Sequence, residues 1–135
     1  MKKLGIFMAN GCEEIEGLAV VDLVRRTGEI EITTISISDT KQVEGAHKIT
    51  FMTDALASEV NFEELDGIIL PGGMPGTKNL EACGALMEQV DAFDQAKKYV
   101  AAICAAPSVL GHRGILKGRK ACCYPGFEDQ LEGAQ

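Results

Sequence analysis

Five cysteines, two histidines and a cluster of glutamates carry most of the reactive chemistry available to this 135-residue chain. The cysteine count is odd and no Cys-x-x-Cys pair occurs. A disulfide framework is not expected, and a reducing cytoplasm is the natural home. Neither His47 nor His112 has a metal-ligand spacing to another His or Cys, so no structural zinc site is expected. The cysteine with a distinctive setting is Cys104, in Tyr99-Val-Ala-Ala-Ile-Cys-Ala-Ala-Pro-Ser-Val-Leu-Gly111. Tyr99 to Ile103 reads as a fully buried strand. The chain then turns at Cys104 and re-emerges as a helix, with Pro107 suited to its first turn. Ala102 and Ala106 supply the small side chains that a sharp strand-to-helix turn needs. This is a nucleophile-elbow pattern with Cys in place of Ser. The nearby helix N-terminus favours the thiolate. The alternative is an inert Cys closing a core strand, since free Cys is among the most buried residue types.

Two further stretches can serve such a thiol. Glu13, Glu14 and Glu16 crowd the first turn of a helix running to about Thr27. Acidic residues belong there on dipole grounds alone. If Glu16 points at Cys104, two anions compete and the carboxyl pKa rises. The protonated acid then donates a hydrogen bond to the thiolate. The second stretch is Pro71-Gly-Gly-Met-Pro-Gly76. It lacks the Lys-Ser/Thr ending of a phosphate loop, and no dinucleotide fingerprint opens the first crossover. Its functional reading is an oxyanion hole made by the N–H of Gly73 with that of Ala105. The bland reading is a turn that needs positive φ.

The elements that must position these residues alternate between strand and helix. Lys3 to Ala9 reads as a strand. The first helix, with Ile15, Leu18, Val20, Val21, Leu23 and Val24, reads as largely buried and ends at a Gly28 cap. Ile30 to Ile37 is a strand, Asp39 to Gly45 a polar loop, and His47 to Met52 a short strand or hairpin arm. Asn61 to Leu65 is a helical turn and Gly67 to Leu70 a buried strand. Asn79 to Lys98 is a helix with Leu80, Cys83, Met87 and Val90 on one stripe. After the elbow, Ala121 to Tyr124 reads as a strand, and Pro125-Gly126 breaks it. The alternation predicts an α/β fold, a doubly wound, mostly parallel sheet with helices on both faces. Ligands in such sheets bind outside the carboxyl ends of the strands. The loops at 10–16, 71–76 and 104–107 all fall there.

Composition narrows the partners. Hydrophobic residues make up 46% and charged residues 24% of the chain, enough for a core of ordinary solubility. A net charge of −7 argues against nucleic acid or an anionic membrane as partner. No apolar run is long enough to span a bilayer. The N-terminal apolar run ends at once in Asn10-Gly11, too short for a signal peptide.

Four motifs converge on one family. Gly-Cys-Glu-Glu-Ile-Glu16, Ile-Leu-Pro-Gly-Gly-Met-Pro-Gly76 with Asn79-Leu80, Ala-Ala-Ile-Cys-Ala-Ala-Pro107 and Cys-Tyr-Pro125 follow in order. With them the chain resembles the ThiJ/PfpI superfamily, the family of the parkinsonism-associated protein deglycase. The resemblance spans residues 1–135 as one domain. It implies a flavodoxin-like sandwich of the class I glutamine amidotransferase type and a homodimer. It also implies Cys104 as nucleophile, Glu16 as its protonated partner, and the Gly73 and Ala105 amides lining the pocket. His47 falls where the family often places a basic residue contributed across the dimer interface. Tyr124 stands where the family often has a His close to the cysteine. The phenol, with a reference pKa of about 10, can donate a hydrogen bond but cannot act as an imidazole base. His112 does not replace it, lying roughly 12 Å along the helix axis from Cys104. General-base work then falls to Glu16 or water, and peptidase or amidase chemistry drops in rank. Family members continue for about one more strand-helix unit and a C-terminal helix, so a domain lacking its C-terminal part is expected.

The leading expectation is a cofactor-free enzyme acting on small aldehydes or dicarbonyls, or on their protein adducts. Cys104 attacks the aldehyde, Glu16 relays the proton, and the Gly73 and Ala105 amides steady the oxyanion. The rival expectation is a redox-responsive stress protein whose Cys104 is oxidised to sulfinate and held by Glu16. Both need the same reactive cysteine.

Overall fold

A computed structural model describes residues 1–135. In chain order the elements are β1 (Lys2–Met8), α1 (Glu14–Thr27), β2 (Ile30–Ser36), β3 (Gln42–Glu44), β4 (Thr50–Met52), β5 (Ala55–Leu56), β6 (Gly67–Leu70), α2 (Gly76–Ala82), α3 (Gly84–Gln95), β7 (Tyr99–Ala102) and α4 (Pro107–His112). Five strands form one sheet in the order β5-β2-β1-β6-β7, and every pairing in it is parallel. β3 and β4 form a separate antiparallel hairpin.

Alternation along β1 divides the core into two layers. Phe7 and Ala9, with Ile35, Ile68 and Leu70, meet Leu80 of α2, Val90 of α3 and Val109 of α4. Ile6 and Met8, with Ile32, meet Val21 of α1 and Val43 of the hairpin. Helices therefore cover both faces of a parallel sheet, a flavodoxin-like arrangement. The strand order runs outward from β1 in both directions, so crossovers of one hand fall on opposite faces. No helix is long and apolar enough to cross a membrane.

Several sequence expectations need correction. The first helix buries only Glu14, Gly17 and Val21, while Ile15 is 74% and Leu23 is 64% exposed. Its apolar residues surround the axis, but this chain packs against one side only. The polar loop after β2 contains β3, which pairs with β4 across the turn holding His47. The helix expected over 79–98 begins at Gly76 and is broken at Cys83, whose ψ of 95° is extended. β7 is an edge strand whose Tyr99 is 63% exposed. Its Val100 and Ala102 pack on the main core, while Tyr99 and Ala101 face a side that no helix covers. Finally, 121–124 is not a strand. Its tie to the elbow is one backbone bond, from the Tyr124 N–H to the Cys104 carbonyl at 2.7 Å, and one bond makes no ladder.

Candidate active site

The carboxyl ends of β1, β6 and β7 bring three loops together. The Glu13 N–H donates to the Gly72 carbonyl at 2.9 Å, and the Gly76 N–H donates to Gly11 at 3.0 Å. The Asn79 side-chain amide donates to the Asn10 carbonyl at 2.8 Å. The elbow is held to β6 by the Ile103 N–H, which donates to Leu70 at 3.2 Å.

Glu13 caps α1: its carboxylate accepts from the Ile15 N–H at 3.3 Å and the Glu16 N–H at 3.0 Å. That bond fixes the first turn and aims Glu16 inward. Glu16 Oε1 accepts the Gly72 N–H at 3.0 Å, across 56 positions of sequence. A Cβ on Gly72 would lie 2.7 Å from the Cys104 Cβ, 2.7 Å from Glu16 Oε1 and 2.9 Å from the Ile103 carbonyl. Only glycine leaves room for the acid and the cysteine to meet over this turn.

Cys104 has a φ of +64°, a left-handed conformation that costs a non-glycine residue on the order of 1–3 kcal/mol. Such strain persists where surrounding structure over-determines it. The Ala105 and Gly73 amides lie beside the Cys104 thiol and favour its thiolate, while the facing Glu16 side chain opposes it. Gly73, at φ +90°, is the glycine whose backbone reaches over to place its amide there. Burial pushes the Cys104 thiol up, and the hydrogen bond and charge of Glu16 push it further; the two amides pull the other way. The easily ionised thiol expected from a helix terminus is therefore corrected: burial and a facing carboxylate outweigh the amides.

Glu16, Ile103, Cys104, Cys122, Cys123 and Tyr124 line a cavity of about 370 Å³. A larger crevice of about 480 Å³ beside Phe62, Phe93 and Lys98 holds no cysteine, and its Lys98 ammonium is engaged by the Glu63 and Leu65 carbonyls. Tyr124 reaches Cys104 through its backbone amide. Its side chain is 56% exposed and sets its ring edge-on to Phe127, with 6.3 Å between centroids. The hydroxyl makes no hydrogen bond to Cys104, which corrects the donor role expected for it. His112 Nδ1 bonds Glu81 at 2.6 Å instead.

His47 lies outside this cavity within the chain. Its Nδ1 is 3.0 Å from Glu14 Oε1 and 3.5 Å from Glu13 Oε1. Glu14, only 3% exposed, also accepts the backbone N–H groups of His47 at 2.9 Å and Ile49 at 3.2 Å. Burial opposes the Glu14 charge, yet these bonds hold its pKa down to about 2; the same carboxylate raises His47 above its usual 6.5. The ligand atoms of Glu13, Glu14 and His47 lie within 4.8 Å of one another, so they are the residues that could hold a cation. Their hydrogen bonds already explain the cluster as a clamp between α1 and the hairpin.

Sequence reasoning missed the parts played by Gly72, Glu13 and Glu14. The double glycine pointed to a tight approach without saying which residue meets the acid. Glu13 and Glu14 looked like interchangeable dipole partners. One is in fact the cap, and the other is a buried clamp.

Residues 2–135 match the DJ-1/PfpI family model. Protein DJ-1 homolog B of Arabidopsis thaliana is 37% identical over 131 residues, covering 96% of this chain and 30% of that protein. The Parkinson disease protein 7 homolog of Danio rerio is 30% identical over 131 residues, covering 96% of this chain and 69% of that protein. The chain spans about a third of the length of the two Arabidopsis relatives. Among solved structures, oxidized Toxoplasma gondii DJ-1 superposes with a TM-score of 0.92 at 36% identity, over 100% of this chain and 76% of that one. Drosophila melanogaster DJ-1beta gives 0.91 at 26% identity, over 99% and 73%.

Proposed function

Because the chain belongs to the DJ-1/PfpI family, we propose that it protects against reactive carbonyls as a cysteine-dependent, glyoxalase- or deglycase-type enzyme. The observation that carries this reading is Cys104, set on a left-handed turn at φ +64° and sharing one cavity with Glu16, whose carboxylate is anchored on the Gly72 amide beside it. In the first step the thiolate sulfur attacks the aldehyde carbon of a small dicarbonyl. A C–S bond forms and the carbonyl π pair moves to oxygen. Glu16 takes the thiol proton as the thiolate forms and delivers it to that oxygen, giving a hemithioacetal, and can then take a proton back as base. The Gly73 and Ala105 amides, which favour the thiolate at rest, are the donors this reading assigns to the developing oxyanion. No cofactor is required for these steps. The reading includes a homodimer built on α1, supported by the outward Ile15 and Leu23, and a location in the cytoplasm.

Methylglyoxal consumption by the purified protein, measured beside Cys104→Ser, tests this. The wild type consumes the dicarbonyl and the variant falls to the uncatalysed rate. Equal consumption by both rejects Cys104 as the nucleophile.

A further inference from the structure

The mechanism above uses one of the five cysteines. Cys12 is fully buried, and its thiol is pushed up to about 11 by burial and the Glu14 charge. Cys83 packs against the main core at the α2–α3 break. Cys122 and Cys123 are different, because both line the cavity that Cys104 opens into. Their segment is tied to the elbow by the 2.7 Å bond from the Tyr124 amide to the Cys104 carbonyl, two residues from Cys122.

The two neighbours point to different surroundings. Cys123 packs against the main core, where burial and the nearby Glu128 charge push its thiol up. Cys122 is exposed. The 121–124 stretch belongs to no strand, so no ladder holds it against the shift that disulfide geometry demands.

We propose that Cys122 is a resolving cysteine, converting oxidised Cys104 into a reversible Cys104–Cys122 disulfide. This rests on the reading of Cys104 as the reactive thiol. The Cys104 thiolate attacks one oxygen of a hydroperoxide. An S–O bond forms, the O–O bond breaks, and the remaining alkoxide or hydroxide takes up the proton the Cys104 thiol released and leaves as alcohol or water. The sulfur is oxidised by two electrons to a sulfenic acid, and the hydroperoxide is reduced by two. The Cys122 sulfur then attacks the sulfenyl sulfur. An S–S bond forms, the S–O bond breaks, and the hydroxyl leaves as water with the Cys122 proton. A dithiol reductant restores both thiols by exchange, becoming a disulfide itself. The cycle diverts Cys104 from irreversible sulfinic acid and gives the protein a hydroperoxide-reducing activity in the presence of a dithiol.

The test uses the purified protein, one equivalent of hydrogen peroxide, an alkylating quench, and peptide mass spectrometry without reduction. A Cys104–Cys122 peptide is expected in wild type and in Cys123→Ser, reversed by dithiothreitol. Cys122→Ser should lack it and accumulate several-fold more Cys104 sulfinate. Equal sulfinate in wild type and Cys122→Ser overturns the proposal, as does a link lost in Cys123→Ser instead. A bond found only between two molecules on a non-reducing gel overturns it too. In these cases Cys104 still oxidises and remains the reactive thiol. A Cys104 that neither oxidises nor alkylates defeats the underlying reading, and the proposal with it.

Discussion

Gly72→Ala tests the central geometric claim, that the acid and the thiol meet only because residue 72 has no side chain. The new methyl would sit 2.7 Å from the Cys104 Cβ and 2.9 Å from the Ile103 carbonyl, neither of which is the end of a flexible chain. Overpacking of this kind costs about 1–3 kcal/mol. The third contact, 2.7 Å to Glu16 Oε1, can be relieved by moving the carboxylate. That movement gives up the 3.0 Å bond from the Gly72 amide. A hydrogen bond to a charged group contributes about 1.5–3 kcal/mol. The combined loss is about 2.5–6 kcal/mol, a substantial part of the roughly 5–15 kcal/mol of a typical domain. For a chain of this length the melting temperature should fall on the order of 10–20 °C. Thermal unfolding by circular dichroism, with Cys104 alkylation rates on the same samples, reads both effects. Gly84→Ala is the matched control: nothing lies within 4 Å of its Cβ, and it starts α3. It should leave stability unchanged or raise it by about 0.5 kcal/mol. A Gly72→Ala protein that melts within a few degrees of wild type and alkylates normally would refute the reasoning.

Glu16→Ala removes the acid that pushes the Cys104 thiol up, so alkylation-rate titration should move to lower pH while dicarbonyl turnover drops about 10²–10⁴-fold for want of a proton donor; an unmoved titration removes the pairing. Tyr124→Phe, which deletes an exposed hydroxyl, should change turnover by no more than about twofold and stability by under about 0.5 kcal/mol, and a dead enzyme would contradict the placement. The Glu14–His47 clamp makes stability pH-dependent on both sides. Glu14, lowered from 4.5 to about 2, contributes fully above its unfolded pKa and loses that contribution as pH falls toward 2. His47, raised above 6.5, contributes fully below 6.5 and loses it as pH rises through its folded value. Urea midpoints should therefore be higher near pH 5.5 than near pH 8.5, and Glu14→Gln should flatten the alkaline fall; an unchanged slope would exclude the clamp. Replacing the exposed Ile15 and Leu23 of α1 with Glu should shift sedimentation from dimer to monomer, and a wild type already monomeric at micromolar concentration would reject the interface.

The elbow was legible in the sequence because its causes are local. Small residues flank Cys104, apolar residues precede it, and Pro107 follows in the first helical turn. The alternation of strand and helix was legible for the same reason, since each period reports which side of one element meets the core. Glu16 was not distinguishable from Glu13 and Glu14 in this way. All three suit a helix N-terminus, and only tertiary structure assigns one to the cap, one to the hairpin clamp and one to the cysteine. The partner that selects Glu16 is a backbone amide 56 positions away, and no local pattern encodes a contact between two crossovers. Tyr124 failed as a donor for a related reason. Sequence order placed it beside the elbow correctly, but a side chain's direction depends on whether its segment joins the ladder, and 121–124 makes only one bond there. The thiol's electrostatics were likewise decided in three dimensions: the helix terminus is a local feature, while burial and a facing carboxylate exist only once the loops have closed over Cys104.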